Sequence, residues 1–188
     1  ELDANFFQHI PYLEEFNKNK GTALVSVAGF HLEPMGVYSR KHSSFTNVSD
    51  GVSIAVPNDP TNESRALDII AKTGVVTFKE SALKTPLDIV SNPKNIVFKE
   101  LEAAQMPRAL DDTDFAVINS NFAMAAGLKP TEDSLVMEDK SSPYVNVLVV
   151  KAGNEESAKT KALIKALQSE KVKAFIDEKY QGAVVPAF

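Results

Sequence analysis

The chain has 188 residues, 44% of them hydrophobic and 24% charged, with a formal net charge of −5. That is enough apolar material for one domain or two small lobes, and an acidic balance with no basic stripe argues against a nucleic-acid partner. The absence of cysteine excludes thiol catalysis, disulfides and thiolate metal sites, and no apolar run approaches the roughly 18 residues of a membrane-spanning helix.

The chain starts at Glu1-Leu2-Asp3-Ala4 with neither a starting methionine nor a signal-like segment, and reads as a processed or truncated piece. The next stretch, Asn5-Phe6-Phe7-Gln8-His9-Ile10-Pro11-Tyr12-Leu13, crowds aromatic rings, an imidazole and an amide ahead of a helical pattern. Rings with polar tips suit a pocket for a small, partly apolar ligand. An ordinary helix start with core aromatics explains the same residues equally well.

A helix is predicted from Pro11 to about Asn19, stopped by Gly21. Strands follow over 22–30 and 36–39, then a polar stretch, 40–50, that reads as a linker. Val52 to Val56 is a strand and Pro57-Asn58-Asp59-Pro60 a turn. The helix after it carries Ala66, Leu67, Ile70 and Ala71 on one face and ends at Gly74. Short strands are predicted at 75–78 and 96–98, a helical turn or two at 86–90, and a short helix at 106–110. Asp114 to Ile118 reads as a buried strand that leads through Asn119 into a helix ending at Gly127. Two more strands, 134–137 and 145–150, flank a polar link at 138–143. The last third is helical. One stripe is Ala158, Ala162, Leu163, Ala166 and Leu167; another, after a capping Ser169, is Val172, Phe175 and Ile176.

Alternating strands and helices predict an α/β fold. The polar links divide the chain into 1–45, 46–140 and 141–188, so the two ends are expected to build one lobe and the middle a second. A ligand is then expected in a cleft between lobes, a preferred place for pockets.

Several segments together resemble the methionine-binding lipoproteins of the NlpA/MetQ type, the substrate-binding components of a methionine ABC importer. They are 4–13, Val56 to Leu67 (VPNDPTNESRAL), Pro107 to Asp112 (PRALDD), Ala116 to Asn119 (AVIN) and Glu138 to Asn146 (EDKSSPYVN), in the family's order along the whole chain. The resemblance implies a two-lobed, type II periplasmic-binding-protein fold. Its first lobe is expected to be incomplete, without the family's leading strand–helix–strand unit and with an exposed sheet edge. It further implies reversible binding of L-methionine, D-methionine or a methionyl peptide. A membrane permease is the implied partner, in the bacterial cell envelope, through a lipid anchor that this chain does not contain.

The chemistry of such a site can be assigned residue by residue. A buried amino acid needs a partner for each of its charges. Arg65 is the natural partner of the carboxylate, because its fork makes two parallel bonds and stays protonated; a solvated surface arginine is the plainer reading. The resemblance places Asn119 and Asn146 in the site. Asn119 could equally be a plain helix cap, whereas Asn146 sits in a strand that disfavours it. Phe7, His9 and Tyr12 would line the slot for the thioether arm, with Tyr38 and Tyr144 as weaker candidates.

Other chemistries fit less well. His9, His31 and His42 match no compact metal motif, so neither metal nor cofactor is expected. The acidic pairs Glu14-Glu15, Asp111-Asp112 and Glu155-Glu156 read as solvated faces, and neither G-x-S-x-G nor G-x-G-x-x-G occurs. A binding protein is therefore expected rather than an enzyme; an enzyme or an adhesin on the same scaffold is the alternative.

Overall fold

The computed structural model describes residues 2–139 and 141–188; Glu1 and Lys140, the latter inside the expected 138–143 link, lie outside the described residues. In chain order the elements are β1 (Ala4–His9), α1 (Ile10–Lys20), β2 (Leu24–Leu32), β3 (Gly36–Tyr38), β4 (Ser53–Pro57), α2 (Pro60–Lys72), β5 (Thr77–Phe78), β6 (Ile89–Ser91) and β7 (Val97–Leu101). They continue with α3 (Met106–Ala109), β8 (Phe115–Ile118), α4 (Ser120–Ala125), α5 (Pro130–Asp133), β9 (Val136–Met137), β10 (Val145–Lys151), α6 (Ala158–Leu167), α7 (Glu170–Tyr180) and β11 (Val185–Pro186). The chain forms two compact units, Glu1–Glu33 with Asp139–Phe188, and Pro34–Glu138. No helix among the described residues is long and apolar enough to cross a membrane.

The second unit is built on a five-stranded sheet ordered β7-β4-β8-β3-β9. β4 runs parallel to β7 and β8, while β3 is antiparallel to β8 and β9. Its central strands are continuous apolar runs because both faces are covered. Successive side chains alternate between the faces. Ile54, Val56, Phe115 and Val117 enter one core with Leu67 and Ile70 of α2. Ala55, Ala116 and Ile118 enter the other with Met106 and Leu110. Asp114 clamps the start of this arrangement: its Oδ2 accepts from the backbone N–H and the hydroxyl of Ser53, each at 2.8 Å. Those bonds, the Ser53 amide foremost, hold its carboxyl down at about 2.

The polar stretch 40–50 is not a linker. Phe45 and Val48 are buried in the second unit's core, and Phe45 packs edge-on to Phe115 with centroids 4.9 Å apart. The boundary therefore falls after Glu33 rather than after residue 45. Two apolar side chains among many small polar ones are enough to pin the segment. The helix expected at 86–90 is a single 3-10 turn, Pro86–Asp88, closed by the reciprocal Thr85–Asp88 capping box. The β-branched Ile89 and Val90 then continue as strand β6, paired with β5.

The first unit carries a four-stranded antiparallel sheet, β1-β10-β2-β11. Its central strand β10 is buried from Asn146 to Val150. Helix α1 packs Leu13 against Val147 and Val149 and ends at Gly21, whose φ of 62° suits glycine. β1 and β11 have no counterpart among the predicted elements. The shift between Phe6 and His9 interrupts the period of β1, and β11 is too short to show one. Ser169 caps α7 as predicted, accepting from the Val172 N–H. The stripe of α6 does not form a core: Ala158, Ala162, Leu163 and Ala166 are exposed and only Thr160 is buried.

Candidate functional site

In the second unit the candidate residues follow the carboxyl ends of two adjacent parallel strands, the usual ligand end of an α/β sheet. β4 leads through Pro57-Asn58-Asp59 into α2. There the Asp59 carboxylate caps the helix by accepting from the Asn62 N–H at 3.0 Å, and Pro60 occupies the first turn. Arg65 lies one turn further on, only 4% exposed, so its charge requires a buried acid. That acid is Glu138. Arg65 Nε donates to both carboxylate oxygens, at 3.0 and 3.1 Å, and Nη2 donates to Oε2. Oε2 also accepts the Met35 backbone N–H at 3.1 Å.

β8 leads directly into α4 at Asn119. Asn119 holds the N-cap position, yet its side chain makes no capping bond. Its Nδ2 donates instead to Asn62 Oδ1 at 3.0 Å, and Asn62 is itself held by Asp59 through two Nδ2 contacts. The Oδ1 of Asn119 is buried and, among the described residues, has no hydrogen-bond partner. An unsatisfied buried acceptor costs about 1–3 kcal/mol, so this oxygen is primed for a donor such as an ammonium. Next to it, the Ser120 hydroxyl donates to the Pro34 carbonyl.

Glu63, on the opposite side of Arg65's helical turn in sequence, is a buried carboxyl with Oε1 unpartnered among the described residues. Desolvation raises it to about 8, reinforced by a hydrogen bond to Glu100 and by the charges of Glu100, Asp59 and Asp88.

The first unit gathers the other four candidates. His9 is buried and caps α1: its Nδ1 accepts the Tyr12 N–H at 3.1 Å, which puts the proton of the neutral ring on Nε2. Tyr144 meets the His9 ring edge-on at 4.9 Å, and Phe7 meets Tyr12 at 5.7 Å. Asn146 is the register partner of His9 on β10 and of His31 on β2. Both strand pairs shift register there, between Phe6 and His9 and between Asn146 and Val147. Such bulges re-aim side chains and gather at sites. Asn146 Nδ2 lies 3.4 Å from His31 Nε2, a long contact, while that nitrogen is 2.9 Å from Glu33 Oε1.

The structure thus places Arg65 and Asn119 in one unit, Arg65 on α2 and Asn119 tied to that helix through Asn62, and Phe7, His9, Tyr12 and Asn146 in the other. Tyr144 belongs with the latter. Tyr38 does not belong to either group: it is 1% exposed inside the second core, and burial, helped by Asp133, raises its phenol. Sequence reasoning missed Glu138 and Asn62. The Glu138 pairing spans 73 positions and leaves no local signal, whereas Asn62 stands one turn before Arg65 on α2, where it could have been considered. Among the described residues, no three histidine, aspartate or glutamate side chains are arranged to hold a metal.

The family model described as NlpA lipoprotein matches residues 1–188. The D-methionine-binding lipoprotein MetQ of Salmonella typhi is 43% identical over 189 residues, covering 98% of this chain and 70% of the relative. Among solved structures, a nutrient-binding protein from Burkholderia cenocepacia bound to methionine aligns with a TM-score of 0.96 at 45% identity, covering 100% of this chain and 80% of that one. An ABC-transporter periplasmic substrate-binding protein from Coxiella burnetii aligns with a TM-score of 0.95 at 41% identity, over 99% and 79%. The chain belongs to the NlpA lipoprotein family, and its fold is that of the periplasmic substrate-binding proteins.

Proposed function

We propose that this protein binds methionine reversibly, performs no chemistry on it, and passes it to the permease of an ABC importer at the bacterial cell envelope, held there as a lipoprotein. The observation that carries the reading is the match of the whole chain, at 45% identity, to a protein bound to methionine. The chemistry of the residues supports it. Arg65 is the partner of the ligand carboxylate. Asn119, with its unpartnered buried oxygen, and Asn146 are partners of its polar head. Phe7, His9 and Tyr12 offer ring edges to the thioether, each contact worth about 0.3–1.5 kcal/mol.

Titration calorimetry with L- and D-methionine tests this. A saturable heat with no product is expected, and no binding of either enantiomer overturns the reading. Arg65→Lys keeps a charge opposite Glu138 but not the two-pronged fork, so it should weaken methionine at least tens-fold. Unchanged affinity in that variant removes Arg65 from the site while leaving the function standing.

A further inference from the structure

We propose that Glu63 is a positioning residue: a proton shared between its carboxyl and that of Glu100 seats the first turn of α2, and methionine binding weakens when that proton leaves. The effect on methionine rests on the reading above; the seating of the turn does not.

The sheet brings the two acids together. Val56 of β4 packs into the core with Leu67 and Ile70 of α2, and Glu100 is its register partner on β7. Register partners on neighbouring strands share a face of the sheet, so Glu100 points to the face that α2 covers. Phe98, two residues earlier on β7, packs against that same core. Glu63 lies just after the entry to α2, its N–H donating to the Asp59 carbonyl at 2.8 Å. It is 5% exposed, and its Oε1 has no hydrogen-bond donor among the described residues. Two ionised carboxylates repel in such a dry place; one proton between them turns the repulsion into a hydrogen bond, the contact that joins Glu63 to Glu100.

The other charges around Glu63 do not relieve it. Asp59 at the helix entry and Asp88 in the 3-10 turn add negative charge, and β4 carries no ionisable side chain. Lys79 pairs with Asp88 at 2.9 Å. Lys84, whose N–H donates to Ser64 Oγ, pairs with Asp68 at 2.9 Å. Burial first, then the acids, raise the Glu63 carboxyl to about 8, so the proton is held at neutral pH and lost above it.

The same turn carries a polar bracket. Asn62, the neighbour of Glu63 in sequence, is held by Asp59 through Nδ2 at 3.0 and 3.2 Å and accepts from Asn119 Nδ2 at 3.0 Å. Once ionised, Glu63 is repelled by Glu100 and drawn toward water. The turn then gives way, and Asn119, whose buried Oδ1 is a proposed ligand partner, loses its fixed place. By reciprocity, bound methionine holds the proton on.

The test is calorimetry of methionine binding to the intact chain from about pH 6.5 to about pH 9, for the wild type and Glu63→Gln, which keeps the shape without the titration. The amino group of free methionine titrates identically in both series, so the ratio of the two affinities reports the protein's own group. That ratio should move against the wild type by at least about fivefold as pH rises through about 8. A constant ratio overturns the proposal. A measurement on the wild type without ligand stands even if Glu63→Gln does not fold: the Asn119 side-chain amide resonances should titrate over the same range. Resonances that do not move refute the coupling between the acid pair and the bracket. No methionine binding at any pH, with the Asn119 amide still titrating, refutes the ligand and leaves the seating of α2 standing.

Discussion

The two units solve the same problem with unequal means. The Pro34–Glu138 unit buries both faces of a central parallel pair and closes two separate cores around it. The other unit also buries Phe30, Leu32, Leu148, Val150 and Ile176, but its connected cluster is small: Leu13, Val147 and Val149, with Leu24 alongside. It leaves Phe6, Phe7, Ile10, Phe16, Leu163 and Phe175 exposed. The candidates Arg65 and Asn119 stand on the well-packed unit, and the aromatic candidates stand on the other, together with Asn146. Rigid placement matters most for two-pronged polar contacts, where small displacements lose the bond. Aromatic faces tolerate more movement, because dispersion contacts are many and individually weak.

Truncating one side chain in each unit should have opposite consequences. Leu67 is fully buried in α2, so Leu67→Ala should destabilise the protein by about 2–5 kcal/mol. Phe7 is 61% exposed, so Phe7→Ala should change stability by less than about 0.5 kcal/mol while weakening methionine binding. Chemical denaturation paired with calorimetry checks both. A large stability loss in Phe7→Ala would make it a core residue and remove it from the proposed site.

Native-state hydrogen exchange sharpens the same contrast at lower cost in free energy. Amides of β4 and β8 lie between paired neighbours under two cores. β1 and β11 end the order of their sheet. Exchange in β8 should be at least about tenfold slower than in β1, since local opening follows buried contact density. Equal protection in both strands would show that the open unit is held by more than its visible core.

What the sequence disclosed divides along the same line. The well-packed unit was readable where its physics is local: β4, the Asp59-Pro60 entry to α2, Gly74 and the apolar run of β8 all carry their own signals. Residues 40–50 were misread because Phe45 and Val48 are held by distant partners that no local pattern reveals. In the open unit β1 was missed, since its period is interrupted by the shift between Phe6 and His9. The α6 stripe was overread, because an apolar face shows only the capacity for burial. At the proposed site, residue types such as Arg65 were visible. The Glu138 pairing spans 73 positions and could not be deduced from spacing.

The smallest expected effect concerns a place where the well-packed unit gives up stability. Glu63 is buried, and desolvation first, then Glu100, Asp59 and Asp88, raises its carboxyl from 4.5 to about 8. An acid whose pKa is higher folded than unfolded stabilises nothing by ionising. Below about 4.5 both states hold the proton and the group is neutral to stability. As pH rises from 4.5 toward 8 the unfolded chain releases its proton more readily, so the folded state loses ground, and above 8 the loss is complete. Glu63→Gln removes the titration and keeps a side chain of the same shape that can donate to Glu100. Its melting temperature should match the wild type near pH 4 and exceed it by at least about 2 °C at pH 8.5. Thermal unfolding of both proteins across that range decides the matter. A gain independent of pH would mean that Glu63 is not held protonated, and that the compact unit carries no such internal cost.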